Sequence, residues 1–470
     1  MAPVIWWVRK DLRVSDNPAL EDAIATGGPV IPVFILDEVF EDYGAAPLWR
    51  FGLGVEKLAE TLKGKGSRLI LRRGKVKDVL AKLVEETGAG AVRWSRAYDP
   101  DQVARDKAVK SHLQDKGIDA KSIAGHLLFE PWSVETKDGG FYKVYTPFWR
   151  SVKDMDVRAL VSEPGSVPAP ENWPDSDALA DWNLDTAMQR GAPIVARHVC
   201  VGEAAARDRL SAFIEDKVAH YKTDRDLPAA DATSKLSENL AWGEISPAAL
   251  WHAGVRALED GAGDAEHFLK EVVWREFAYH LVWHTPHITT DNWRDGWDKF
   301  PWQDDERAKE IRDWKRGVTG VRFVDAAMRE MYVTGHMHNR SRMIVASYLT
   351  KHLMTHWKVG QKWFEHCLID WDPASNAMGW QWSAGSGPDA TPYFRVFNPE
   401  TQLDKFDKNG DYIARWIAEG KSNPSDTALS YFDAIPESWS MSPSDRYPDP
   451  IVGMSEGRQR ALDAYENRDF

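Results

Sequence analysis

Three short stretches of the chain gather residue types that plain core packing does not need. EVVWREF (271–277) reads as helix, so Glu271, Trp274 and Arg275, at i, i+3 and i+4, share one face. A carboxylate, an indole and a guanidinium side by side could form a stacking platform with polar contacts to a flat base. They could equally be a surface ion pair beside a core tryptophan. HMHNRSRM (336–343) repeats the geometry, with Asn339, Arg342 and Met343 on one helical face and Arg340 projecting elsewhere. A methionine on a helix is most often a core residue. In YKTDRDLPAADATSKLS (221–237) the hydroxyls of Thr233, Ser234 and Ser237 come just before a helical run. Free amides at a helix N-terminus, joined by hydroxyl donors, make a phosphate site. The same residues also cap helices that bind nothing.

The run from Trp371 to Asn398 crowds glycine, asparagine and tryptophan around a lone Arg395 with few aliphatics, as the wall of a large aromatic-lined pocket would. Of the 23 tryptophans, eleven fall between Trp274 and Trp382. On composition alone, a tryptophan-rich helical core explains that clustering as well as a specialised site does. No pair of carboxylates, metal-ligand cluster or nucleophile triad has the spacing its chemistry requires. No metal site is expected.

The elements that must position these residues fall into two kinds. Over residues 1–125, PVIWWV (3–8), PVIPVFIL (29–36), RLILRR (68–73) and AVRWSR (91–96) read as buried strands. They alternate with amphipathic runs at 46–63, 76–87 and 101–115, and Asp16-Asn17-Pro18 is a helix start with a first-turn proline. This alternation predicts an α/β domain with a doubly wound parallel sheet. No GxGxxG follows the first strand, so the dinucleotide fingerprint is missing. Residues 126–199, with VPAPENWPDSD (167–177), read as an inter-domain connector. From 200 to 470 the apolar spacing is helical, as in 268–283 and 321–333, which predicts a large all-α domain. The last 30 or so residues read as surface segments.

A net charge of −13 argues against indiscriminate nucleic-acid binding and leaves room for a local basic groove. Two cysteines, Cys200 and Cys367, support neither a disulfide framework nor a zinc site. The apolar run Pro3–Val8 is too short for a signal peptide and meets Arg9-Lys10 at once, and no apolar run has a membrane span's length. A cytoplasmic protein is expected.

Taken in order, these motifs resemble the photolyase/cryptochrome family across nearly the whole chain, most strongly between 221 and 416. WWVRKDLRVSDNPAL (6–20) and VYTPFWRSV (144–152) look like family segments too. The resemblance implies a non-covalent FAD in the helical domain. Tyr221, Thr233, Ser234, Lys235, Leu236 and Ser237 would grip it at the pyrophosphate. Arg275, Asn339, Asp372 and Arg342, the last paired with Asp370, would lie along it, with Asn376 facing flavin N5. It implies a CPD photolyase, in which blue light drives an electron from reduced FAD into a cyclobutane pyrimidine dimer flipped out of DNA. Trp274 would stack on the dimer, Glu271 would bond a pyrimidine, and Met343 would contact the lesion. Arg225, Asn339, Arg340 and Arg395 match DNA-contacting positions. Trp380, Trp357 and Trp302 match the inner, middle and outer members of a tryptophan chain that reduces the flavin.

Two departures bear on the second, antenna chromophore. The common bacterial form contacts folate through an Asn-Glu pair, where YDPDQVARD (98–106) has Asp101-Gln102, and Ala278 replaces the usual tyrosine after WREF. The chain looks more like a class III-type branch. A reduced folate such as methenyltetrahydrofolate is expected as antenna, with a deazaflavin as the alternative, and the protein is expected to be monomeric. The nearest rival is a cryptochrome-type photoreceptor of the same fold. An ordinary flavin oxidoreductase would need a second nucleotide site, which is not readable. A DNA-binding module without catalysis would leave the hydroxyl and glycine motifs unexplained.

Overall fold

The computed structural model describes residues 1–389 and 394–470. Five parallel strands, β1 (Val4–Val8), β2 (Val30–Leu36), β3 (Ile70–Arg73), β4 (Ala91–Ser95) and β5 (Asp119–Ile123), lie in the order β3-β2-β1-β4-β5. The order reverses between β1 and β4, as a doubly wound sheet requires. β1 is buried on both faces. Val4, Trp6 and Val8 enter one apolar core while Ile5 and Trp7 enter the other, which is the period of two a strand imposes. Helices Pro18–Ala25, Ala45–Gly64, Val76–Thr87 and Pro100–Asp115 cover the two faces. The first begins where Asp16-Asn17-Pro18 predicted. The Asn17 side chain accepts from Leu20 N at 3.1 Å, and Pro18 takes the first turn.

β5 was not anticipated. Its sequence, DAKSI, alternates charge with small residues, because it is an edge strand buried chiefly at Ala120. The connector contains helix Tyr145–Val152 and short 3-10 turns, and its Val167 and Trp182 close one face of the sheet.

The remainder is helical from Glu203 onward. Its centre is built by helices Ala265–His284, Arg322–Thr334, Asn339–Ser347, Trp357–Cys367 and Pro373–Ala384. The C-terminal segment is not merely surface. Helix Met454–Glu466 docks with Ala461 fully buried, and Tyr465 stacks on Phe394 at 4.3 Å. Among the described residues no helix is long and apolar enough to cross a membrane.

Backbone and charge lock the two layers together. Leu12 N donates to Trp242 O at 3.1 Å, and Gly243, at φ +67°, sits so close that a Cβ would lie 2.0 Å from Lys10 O. Only glycine fits there. Arg50, fully buried on helix Ala45–Gly64, binds Glu238 at 3.0 Å and Glu244 at 2.7 Å, and donates to Cys200 O at 2.8 Å.

Candidate functional site

One cavity of about 1040 Å³ opens in the helical layer. Four segments build its walls. The first is Tyr221–Ser237. Its hydroxyl run stops at helix Ser237–Ala241, which has only five residues, so the expected helix N-terminus is a single turn. Polarity in this wall therefore comes from the hydroxyls, the backbone and Lys235, whose φ of +52° turns the chain sharply. Arg209 secures the bend, donating to Lys235 O at 2.7 Å and to Glu238 at 2.6 Å.

The second wall is helix Ala265–His284, whose Glu271, Trp274 and Arg275 all face the cavity, as the i, i+3, i+4 spacing predicts. Glu271 is ion-paired with Arg225, so both groups meet inside the cavity. Burial opposes the Arg225 charge, but Glu271 outweighs it and raises the guanidinium above its usual range. Trp274 lies flat on the Tyr145 ring, with centroids 3.6 Å apart at 7°. Arg275 donates to His126 O at 3.0 Å and lies 2.8 Å from His126 Nε2. Burial, and then the Arg275 charge, push His126 far below the usual imidazole range, which suits an accepting nitrogen.

The third wall is the start of helix Asn339–Ser347. Asn339, Arg342 and Met343 line the cavity and Arg340 does not. Arg340 instead pairs with Asp226 at 2.7 Å and lies 4.5 Å over the Phe406 ring. Arg342 binds Asp370 at 2.7 Å. Burial works to raise the Asp370 carboxyl, but Arg342, His336 and Ser237 overcome it and hold it below the ordinary range.

The fourth wall is Asp370–Trp380 and beyond. Asp372 caps helix Pro373–Ala384 through Ser375 N at 2.7 Å and accepts from Tyr279 at 2.7 Å, while Asn376 Nδ2 donates to Asp372 O at 3.0 Å. Trp380 packs edge-on against Phe364 at 4.8 Å, and its ring lies where a Cβ on Gly360 would come within 2.1 Å.

Of the residues singled out from sequence, Trp302, Trp357, Arg340 and Arg395 lie off the cavity. Arg395 is exposed, 5.7 Å over the Phe397 ring. Trp357 is fully buried and bonds Asn292 at 2.8 Å, and half-buried Trp302 bonds Thr350 O at 3.0 Å. The His356 ring bridges these two tryptophans, 5.1 Å from Trp302 and 5.5 Å from Trp357. Sequence reading passed over Trp382, which also lines the cavity and donates to Asp389 O at 3.1 Å. Its signal was present in the Trp380-Gln381-Trp382 triplet.

The donor set suits a large polar and aromatic ligand such as FAD. Asp370 Oδ1, Arg275 Nε and Trp380 Nε1 belong to cavity-lining residues and are buried without a hydrogen-bond partner. Buried groups of this kind are costly unless satisfied. Gly379 also borders the cavity, with open space where a Cβ would stand, which leaves the backbone there open to a flat ring.

Comparison with known proteins agrees. Residues 4–171 match the family model described as DNA photolyase, and residues 268–467 match the FAD binding domain of DNA photolyase. A deoxyribodipyrimidine photo-lyase of Agrobacterium fabrum is 46% identical, over 99% of this chain and 98% of its own length. The crystal structure of a bacterial class III photolyase from Agrobacterium tumefaciens superposes with a TM-score of 0.90 at 44% identity, covering 99% of this chain and 97% of the other. A cryptochrome of Synechocystis gives 0.84 at 26% identity, covering 99% of both chains. With matches that span both layers and a cavity that collects the flavin-binding motifs, the chain belongs to the photolyase/cryptochrome family and carries its FAD-binding domain.

Proposed function

We propose that this protein is a deoxyribodipyrimidine photo-lyase that splits cyclobutane pyrimidine dimers in DNA under blue light. The observation that carries the reading is one cavity lined at once by Glu271, Trp274, Met343 and Asn376. When bound, FAD in its reduced form supplies the photoexcited electron. The chain's own residues do the rest. Ser237, Thr233, Ser234 and Lys235 hold the phosphates, with Tyr221 and Leu236 closing around them. Arg275, Asn339, Arg342, Asp370 and Asp372 orient the ring system and ribose. Trp274 offers a face to the flipped-out lesion, and Glu271 aims a carboxylate at its pyrimidine edge. Arg225 neutralises that carboxylate until DNA arrives, then is free to exchange toward phosphate. Flipping a damaged, poorly stacked dinucleotide costs less than flipping a sound one, which favours the lesion.

The test is direct. Purified protein is mixed with dimer-bearing DNA, with and without blue light, and remaining dimers are counted. Loss of dimers only in the light supports repair. Unchanged dimers with intact flavin photochemistry would move the protein to the cryptochrome side of the family.

DNA binding is expected to be lesion-selective and salt-sensitive despite the acidic total, because phosphate contacts release counterions. Arg340→Glu should weaken damaged and undamaged DNA alike, since it leaves Asp226 facing a second carboxylate. Trp274→Ala should chiefly remove the preference for damage, by about 10- to 100-fold, as a base–aromatic stack worth ~1–3 kcal/mol implies. Competition binding at two salt concentrations separates the two outcomes.

We also propose the division into an antenna-binding domain at 1–125, a connector at 126–199 and the catalytic domain at 200–470. The antenna itself is proposed to be a reduced folate, with a deazaflavin as the alternative. Charged side chains crowd the carboxyl end of β1. Trp7 carries Arg9 at 4.6 Å and Arg105 at 5.0 Å, and these are tied to Asp106 and Asp37 at 2.6 Å each. Gln102 is buried and bonds Asp99 at 2.9 Å, so it is not presented as the usual folate-contacting residue is. Both features support a folate held in a different manner, which chromatography of the extracted chromophores checks. A cytoplasmic monomer is the proposed working state, in keeping with two cysteines that are both free.

A further inference from the structure

We propose that Tyr145, in the connector, is a positioning residue for lesion discrimination that sets the plane of Trp274 before DNA binds. The proposal deepens the repair reading and rests on Trp274 being the lesion platform. Tyr145 and Trp274 are parallel to within 7° with centroids 3.6 Å apart, the tightest ring pair among the described residues. Phe277 meets both rings edge-on, at 5.8 Å and 73° for Tyr145 and at 5.8 Å and 75° for Trp274. One indole face and an edge are thus occupied by protein, and the rest borders the cavity.

Tyr145 is itself fixed. Its hydroxyl donates to Lys270 O at 2.7 Å, one turn before Trp274 on the same helix, and the residue is 7% exposed. The anchor and the platform therefore move as one body. Through Tyr145 the 126–199 segment thereby bears directly on Trp274, one of the tryptophans that line the cavity.

An isolated indole must give up side-chain freedom when a flipped-out base stacks on it, whereas a clamped one has already done so. Discrimination should therefore depend on the Tyr145 ring and not on its hydroxyl alone. Simple core packing by Tyr145 would instead lower thermal stability and FAD content without acting through Trp274.

The experiment is a double-mutant cycle in the FAD-loaded protein. Affinity for dimer-bearing and undamaged oligonucleotides, FAD content and Tm are measured for Tyr145→Phe, Tyr145→Leu, Tyr145→Ala, Trp274→Ala and the Tyr145→Ala/Trp274→Ala pair. Tyr145→Ala and Tyr145→Leu are expected to cut the damaged-to-undamaged ratio by about 2- to 12-fold, the value of an aromatic stack, while Tyr145→Phe keeps it. The double variant should lose no more than Trp274→Ala alone. The leucine variant retains apolar volume, so it keeps the test open if the alanine variant does not fold. The proposal is overturned if Tyr145→Leu retains the full ratio while Trp274→Ala loses it. It is also overturned if Tyr145→Phe loses as much as Tyr145→Leu, or if the two losses simply add. A full ratio in Trp274→Ala sinks the lesion-platform reading itself, and this proposal with it.

Discussion

Trp380→Phe is expected to abolish light-driven reduction of the bound flavin, lowering its rate by at least about tenfold, or ~1.4 kcal/mol of barrier. Repair by chemically pre-reduced protein should largely survive. Phenylalanine fills most of the space between Phe364 and Gly360 but is far harder to oxidise than an indole. Trp380 lines the cavity, and the helix that carries Gly360 against its ring begins at Trp357. Trp357 continues through the His356 ring to half-buried Trp302. The aromatic run from Trp357 through His356 to Trp302 leads toward solvent, and we propose that Trp380 draws its electron from it. The measurement is flavin absorbance under blue light with an external reductant, alongside dimer loss after chemical reduction. Equal loss of both would make Trp380 a packing residue only.

Arg50→Met is expected to cost about 3–5 kcal/mol of stability and to weaken FAD binding, since removing one partner strands buried charge. Arg50, Glu238 and Glu244 are all fully buried, and Glu238 adjoins Ser237 at the cavity wall. Burial works to raise the Glu238 carboxyl, but His336, Arg50 and Arg209 hold it at about 2. A carboxylate depressed in this way stabilises the fold above the unfolded value of about 4.5 and loses that effect as pH falls through about 2. The variant's deficit should therefore be greatest near neutral pH and shrink as the medium is acidified below about 4.5, where the stranded Glu238 takes up a proton. Denaturant unfolding at pH 7 and pH 4, with FAD titration at both, reads the effect. A loss below 1 kcal/mol at pH 7 would remove the clamp from the account.

What could be read without coordinates was local. Helical spacing was enough to put Glu271, Trp274 and Arg275 on one wall and to turn Arg340 away from Asn339, Arg342 and Met343. Long apolar runs marked β1 to β4, whereas β5 carries the mixed polarity of an edge and gave no such signal. What escaped was long-range. Arg50 finds Glu238 across 188 positions, and Tyr145 meets Trp274 through a connector whose composition suggested only a linker. No periodicity encodes a partner that distant. The hydroxyl run was recognised, but its helix proved a single turn, because Gly243 must bend the chain immediately to meet Lys10.

The seam at Arg50 and Gly243 also bears on how such proteins can be recombined. With the α/β layer as the proposed antenna domain, that layer invites exchange as a cassette. In this chain that cassette would carry away the cation facing two buried carboxylates and the Lys10 carbonyl that packs on Gly243. A graft from a relative will accept flavin only if it arrives with an arginine at the same place on its helix. Transplanting the helical layer alone leaves Glu244 without its arginine and Glu238 with only Arg209 and His336. Under the proposed domain roles, the α/β layer and flavin retention are inherited together, joined by one side chain that does not line the cavity.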